Sequence, residues 1–382
     1  MKQYDYIIAG AGCAGLSLLY RMLKEPLLQD KRILVIDKVR KDQNDRTWCF
    51  WEKGAGLFEP IVHHQWRTLQ FLTENLTKQF TLGDYRYKMI KGIDFYHYVL
   101  SEATKFENVD FQYEKIQKIA AKEDHALVET RENTYTAPYV FNSTGFFNPA
   151  INEENSLLQH FEGWIIKTPT PTFDSNVGTF MDFRLSQAHG DTFMYVFPMN
   201  AQEALVEYTL FSPKVLSKAE YKSGLENYIK DFLKIDDYEI VHREFGIVPM
   251  SLAKFPRYPE VHQRIINMGT AGGFTKASSG YTFQFIQRNA QFIVDQLKQG
   301  KSPAQKITFR DKMFEWYDRT LLEVILSDKM SGKEVFAIMF KKLSPEKIFA
   351  FLDNDSSFLD ELVIMNSVPK KTFITAGLKQ LK

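Results

Sequence analysis

Three glycines, Gly10, Gly12 and Gly15, follow an apolar run at Tyr6–Ala9 and open a helical stretch that reaches Leu23. No other feature restricts the fold of this chain so strongly. A second apolar run, Ile33–Ile36, ends on Asp37 and Lys38. Strand, tight turn, helix, strand and acid thus come in the order of a dinucleotide-binding unit. The first glycine allows the turn, the second lets backbone approach a pyrophosphate, and the third lets the helix lie close on its strand. Cys13 and Ala14 fill the turn between them. The free N–H groups of the helix start then face phosphate, and Asp37 stands where a carboxylate accepts from ribose hydroxyls.

A related pattern returns near residue 270. An apolar run at Ile265–Met268 leads into Gly269, Thr270, Ala271, Gly272 and Gly273, and Ser278, Ser279 and Gly280 precede a helical pattern from Tyr281 to Leu297. A second glycine-lined helix start suits the ribityl and pyrophosphate portion of FAD better than it suits a nicotinamide nucleotide. A glycine-rich loop without a ligand is the alternative. Val140–Thr144 is a third strand-like run, ending at Gly145 where a sheet would again meet the cofactor. The expected fold is α/β: an FAD-binding, doubly wound Rossmann-like domain with an inserted antiparallel β-sheet substrate domain and C-terminal helices. The expected segments are 1–65, 91–150 and 258–300 for the discontinuous FAD-binding domain, 66–90 and 151–257 for the substrate domain, and 301–382 for the helical region.

The chain has 382 residues, 48 of them basic and 47 acidic, a balance that leaves no electrostatic footprint for nucleic acid. Two cysteines, Cys13 and Cys49, are too few for a disulfide framework or a thiolate metal site and suit a reducing, cytoplasmic setting. Adjacent His63 and His64 point apart on a strand, so no metal site is expected. No apolar stretch reaches the ~18 residues of a membrane span, and no secretory leader is expected. The absence of a G-x-S-x-G elbow removes support for acyl chemistry.

Between residues 160 and 256 the sequence is richest in strands. Thr179–Leu185, Thr192–Pro198 and Ala204–Ser212, joined by turn-like Ser186–Asp191 and Met199–Gln202, predict an antiparallel meander. Alternation puts Leu205, Glu207, Thr209 and Phe211 on one face of the last strand. If that face is buried, desolvation holds Glu207 protonated near neutral pH and makes it a proton donor. If it is the wet face of the sheet, Glu207 has no such role. Asp182 is the second candidate acid; it shares a face with Phe180 and Arg184, and such a pair is more often a structural ion pair than a catalytic one. After Gly300, helical apolar stripes occur at Phe314, Tyr317, Leu321 and Ile325 and at Phe336, Met339, Phe340 and Leu343. They either pack on the protein's own body or, with Lys341, Lys342 and Lys347 nearby, lie on a membrane surface.

Seven segments carry a resemblance: Gly10–Gly15, Asp45–Trp51, Phe180–Arg184, Thr192–Pro198, Val206–Thr209, Ile247–Met250 and Gly269–Phe283. In this order, over residues 4 to 300, they resemble the lycopene beta-cyclases of carotenoid synthesis, in particular the bacterial branch with plant relatives. The resemblance implies an isomerase of the intramolecular lyase type that holds FAD, kept reduced by NAD(P)H, beside a tunnel for one end of linear lycopene. A carboxylic acid protonates the terminal double bond, the polyene closes on the tertiary cation, and loss of a proton leaves a beta ring. Successive closure of the two ends gives gamma-carotene and then beta-carotene. The family's acidic motif aligns with Val206–Thr209, which assigns its first acid to Glu207 and replaces its second by Tyr208. Phe180, Tyr195 and Phe197 are aromatic faces that suit the cation. Because the polyene resides in the bilayer, the resemblance also implies a cytoplasmic protein held peripherally on the inner face of the cell membrane. Lys276–Ser279 departs from the His-Pro-Thr-Thr of many members.

Two other readings share part of these features. An FAD-dependent monooxygenase or reductase acting on an apolar isoprenoid would contain both halves of the cofactor site. Related hydroxylases, however, place Asp after the glycine where this chain has Thr270, and the chain contains no Asp-Gly dipeptide of their NAD(P)H-linked motif. A non-catalytic carotenoid or flavin carrier would leave Glu207 dispensable.

Overall fold

Strands Ile265–Asn267, Tyr139–Asn142, Tyr6–Ala9, Ile33–Asp37 and Val109–Tyr113 lie side by side in that order as a parallel sheet, in a computed structural model that describes residues 2–381. Parallel strands are buried on both faces, which is why Tyr6–Ala9 and Ile33–Asp37 are almost continuously apolar. On one face Ile8, Val35, Phe141 and Ile266 pack with helices Cys13–Lys24, Gly92–Ala103 and Phe283–Leu297. On the other, Ile7, Leu34, Val140 and Ile265 pack with a second sheet made of Lys2–Gln3, Thr134–Ala137, Ala126–Glu129 and Lys118–Ala121. Because the central strands run the same way, the Gly10–Gly15 turn, Asp37, Gly145 and Gly269 all emerge at one edge of the sheet.

A larger sheet carries strands in the order Glu239–Ser251, Ser156–Lys167, Glu203–Ser212, Asp191–Pro198, Val177–Asp182, Thr68–Thr73 and Leu76–Thr81. All neighbours are antiparallel except Val177–Asp182 with Thr68–Thr73. The meander read from the sequence is present within it. Helix Lys218–Asp231 covers one face, with Tyr221, Leu225 and Tyr228 against Trp164, Val206 and Tyr208. The opposite face sends Phe180, Phe193, Tyr195, Phe197, Leu205 and Phe211 into a core completed by Phe336, Phe340 and Phe349 of the C-terminal helices. Asp191 fixes these helices to the sheet by accepting from the backbone N–H groups of Gly332 (2.7 Å) and Lys333 (3.0 Å) at a helix start.

One sequence expectation changes here, and of the two readings of the C-terminal stripes the packing on the protein's own body is the one observed. A register shift between Thr179 and Asp182 puts Phe180 and Met181 into the same core and turns Asp182 to the opposite side, so alternation does not place Asp182 beside Phe180. The apolar stripes after Gly300 pack inward: Phe314, Phe336, Met339, Phe340 and Leu343 are all buried. Lys342 donates to the Ser367 carbonyl and Lys347 pairs with Asp360 at 2.8 Å. Exposed apolar side chains lie instead on the last two helices, at Phe358, Leu359, Val363, Ile374 and Leu378. Among the described residues no helix is long and apolar enough to cross a membrane, and no group of three His, Cys, Asp or Glu residues could hold a metal.

Candidate active site

A cavity of about 710 Å³ lies where the edge of the parallel sheet meets the inner face of the large sheet. Its polar end is built by the glycine turns. Gly10 takes φ +104°, which other residues avoid, and a β-carbon there would strike the Ser143 hydroxyl. Gly12 begins helix Cys13–Lys24 with no side-chain cap, and nothing lies within 4 Å of where its β-carbon would stand. The first helical turn carries no acid. Its N–H groups are therefore free to meet an anion in the cavity. Asp37 accepts from Ala11 N at 2.7 Å and Val39 N at 3.2 Å, so its carboxylate braces the turn it faces.

Cys13, Ala14, Asp37, Lys38, Gly145, Gly269, Thr270, Gly280 and Tyr281 line the same cavity as Gly10 and Gly12. An uncapped helix start, open glycine backbone and a nearby carboxylate fit the pyrophosphate and ribose of a dinucleotide. Gly15, Gly272 and Gly273 do not line it, and their reasons are structural. A β-carbon at Gly15 would strike the Gly10 carbonyl and one at Gly272 the Asn267 carbonyl, while Gly273 ends a short helical turn at φ +72°. Of the divergent Lys276–Ser279 segment, Lys276 and Ser278 turn away to Asp318, at 2.8 and 2.7 Å, and only Ser279 reaches the cavity.

The other end of the cavity is aromatic and acidic. Tyr87, Tyr195, Phe197, Phe161 and Tyr281 line it together with Glu207 and Glu244. Strand register explains the grouping. Tyr195 pairs with Glu207, Glu207 with Gly163, and Gly163 with Glu244, so the four form one row across the sheet. Between the two acids Gly163 has no side chain, and a β-carbon there would come within 3.1 Å of Glu244 Cγ.

Glu207 thus faces neither bulk water nor a closed core. It keeps some exposure toward the cavity, while protein surrounds it closely elsewhere. Burial first, and the Glu244 charge second, push its carboxyl up to about 8, against a hydrogen bond of 2.9 Å from Thr209. Burial pushes Glu244 up to about 7, against a hydrogen bond of 2.7 Å from Thr47 and the charge of Arg46. Two interacting carboxyls titrate as a pair, so near neutral pH the pair retains a proton. Burial also holds Cys49, Tyr87, Tyr195 and Tyr281 neutral by raising each well above its usual range.

Asp182 is elsewhere. It is fully buried on the far side of its strand, held by Arg184 at 2.6 and 2.9 Å and by the Tyr228 hydroxyl at 2.7 Å. Its satisfied oxygens and its distance from the cavity lining make it a structural anchor for helix Lys218–Asp231. Phe180 is likewise core rather than lining, while Tyr195 and Phe197 are brought to the site. Tyr208, which stands where the resemblance implies a second acid, points to the opposite face and packs on Gly224. Spacing and alternation in the sequence do not point to Glu244 or Thr47. Thr47 stands in a segment quoted for its resemblance, but nothing in a one-dimensional pattern ties it to Glu244.

Folds of this kind are recognisable in solved structures. A flavoprotein/dehydrogenase from Cytophaga hutchinsonii superposes with a TM-score of 0.63 at 13% identity, covering 99% of this chain and 100% of that one. A geranylgeranyl bacteriochlorophyll reductase-like protein from Thermoplasma acidophilum gives 0.60 at 16% identity, with 98% and 96% covered. A point mutant of the halogenase PltM, solved in complex with FAD, gives 0.57 at 12% identity, with 98% and 86% covered. A search among curated proteins gave no match. The architecture is that of the FAD-binding, Rossmann-type flavoproteins. Within that class, the lycopene cyclase protein family matches residues 5–378, nearly the whole length, and the chain belongs to this family.

Proposed function

We propose that this protein is a lycopene beta-cyclase in which Glu207 is the proton donor. The row of Tyr195, Glu207, Gly163 and Glu244 inside an aromatic cavity beside the glycine turns is the observation that carries this reading. An unactivated alkene accepts a proton only from a neutral acid in a site that excludes water, and burial keeps Glu207 neutral. Its O–H proton passes to the terminal double bond, and Tyr195, Phe197 and Tyr281 offer ring faces to the resulting cation. The neighbouring double bond then closes the ring, and a ring proton leaves.

FAD would be held by the Gly10–Gly15 turn, Asp37, the Gly269–Gly272 turn and Gly280. Bound in its reduced form, with NAD(P)H as the electron source, it supplies an electron-rich surface that does not capture the cation as a nucleophile. The substrate is an apolar polyene. Exposed Phe146, Phe245 and Ile247 belong to the cavity lining and give its outer part an apolar rim. Phe358, Leu359, Val363, Ile374 and Leu378, with Lys370 and Lys371 beside them, suit peripheral contact with the inner face of the cell membrane.

Mass spectrometry of the product formed in deuterated water tests the reaction class. Cyclisation keeps the elemental composition of lycopene and replaces at most one hydrogen by deuterium for each ring formed, according to how far the acid exchanges with solvent between turnovers. A product that gains oxygen, or two hydrogens, would instead make this a monooxygenase or a reductase.

A further inference from the structure

Glu244 is a buried carboxyl that accepts from the Thr47 hydroxyl at 2.7 Å, with the Thr47 backbone N–H also favouring its charged form. Its Oε1 has no partner among the described residues. Gly163 separates it from Glu207 in the sheet. Two strand spacings put the backbones of the two acids roughly 10 Å apart, a span that two extended glutamate side chains nearly bridge. Gly163 itself adds no side chain between them, and the Glu244 and Leu205 side chains close over it, 3.1 and 3.2 Å from where its β-carbon would stand.

The surroundings of the two acids differ. Thr47 and Arg46 favour a charged Glu244, opposed by burial and by Asp45, whereas Glu207 has only the Thr209 hydroxyl and no cation. The remaining titratable groups that line this end, Cys49, Tyr87, Tyr195 and Tyr281, are neutral. Where environments push two carboxyls apart in this way, the more neutral one serves as acid and the more readily ionised one as base.

We propose that Glu244 is the base of the same reaction, taking the proton that the ring releases and returning it to Glu207. This inference rests on the cyclase reading of Glu207. The Glu207 O–H bond breaks as a C–H bond forms on the terminal alkene, and the next double bond closes the ring. On the ring carbon next to the cation a C–H bond breaks: its electron pair becomes the ring double bond, and its proton bonds to the Glu244 carboxylate. Passage of that proton from Glu244 to Glu207, over Gly163, restores the starting pair. No oxidant or reductant is consumed.

The test is the pH dependence of kcat for the FAD-loaded parent, Glu244→Gln and Glu244→Asp, together with infrared titration of their carboxyl bands. The parent should show a bell, rising as Glu244 ionises and falling as Glu207 ionises. Glu244→Gln should fold with the parent's flavin content and a melting temperature no lower than the parent's, lose about 10²–10⁴-fold in kcat and lose the low-pH limb. Its Glu207 band should titrate at lower pH, because the neighbouring charge is gone. Glu244→Asp, with the carboxyl drawn back by one methylene, should recover part of the rate. A folded Glu244→Gln with the parent's kcat and bell overturns the proposal. If Glu244→Gln does not fold, Glu244→Asp decides, and a profile equal to the parent's overturns it. A parent that forms no rings overturns the cyclase reading and this one together, whereas an active parent indifferent to Glu244 overturns this one alone.

Discussion

Glu207 and Glu244 extend from the same face of one sheet with only Gly163 between them, so two carboxyls meet in a cavity otherwise lined by aromatic rings and neutral hydroxyls. Two carboxyls this well buried cannot both ionise cheaply, and that cost ties the stability of the fold to pH.

The sign follows from the raised Glu207 value. An unfolded glutamate ionises near pH 4.5, whereas the folded one holds its proton up to about 8. The folded state therefore binds the extra proton between these limits, and stability falls as pH rises through that window. Glu207→Gln should melt at a higher temperature than the parent above about pH 8, by up to about 5 kcal/mol of stability, and at nearly the same temperature near pH 4. Calorimetry at both pH values checks this; equal shifts at both would mean that Glu207 is not neutral in the folded protein.

Gly163→Val should press on Glu244 and on Leu205, whose side-chain atoms stand 3.1 and 3.2 Å from the first added carbon. Overpacking of this kind costs about 1–3 kcal/mol. The variant should lose stability by that amount in urea and lose turnover more severely than Gly163→Ala. Parent-like turnover would show that the space above Gly163 is not used.

Asp182→Ala leaves the Arg184 guanidinium and the Tyr228 hydroxyl without their shared partner. Breaking a buried pair costs about 3–5 kcal/mol, less here because Arg184 is partly exposed. Denaturation should show a large loss of stability, while kcat per folded molecule stays close to the parent's. A specific collapse of kcat in a fully folded variant would return Asp182 to the chemistry.

Gly12→Asp places a carboxylate in open space at the start of helix Cys13–Lys24. The fold should tolerate it, because nothing lies within 4 Å of the new β-carbon. FAD affinity should drop by at least about tenfold, since like charge opposes the pyrophosphate at a helix N-terminus. Flavin fluorescence quenching reads the change, and an unaltered affinity would remove the cofactor from this end of the cavity.

Much of this arrangement was legible because its physics is local. The Gly10–Gly15 turn, the strand ending on Asp37 and the strand carrying Glu207 each follow from spacing or alternation within a few residues. The structural ion pair of Asp182 with Arg184 is legible in the sequence, but its facing relative to Phe180 is not, because a bulge between Thr179 and Asp182 reverses the alternation, and a one-residue insertion of this kind leaves no mark on a period-two pattern. Glu244 escaped notice because its strand has unusual polarity: Val241, Phe245 and Ile247 are exposed, while His242 and Glu244 point inward. Read as a half-buried strand, that sequence suggests the opposite facing. The C-terminal stripes were ambiguous in principle, since the same apolar face suits a core or a membrane, and only the position of Phe340 against Phe71 and Phe80 decides between them.

The most direct test of Glu207 as the acid is pigment analysis of lycopene-accumulating bacteria that express either the parent chain or Glu207→Gln, with chromatography separating lycopene, gamma-carotene and beta-carotene. The account predicts gamma-carotene and beta-carotene from the parent and unchanged lycopene from a folded, flavin-containing Glu207→Gln. Cyclic product from the variant at the parent's level, or unchanged lycopene from a folded, flavin-loaded parent, would contradict it.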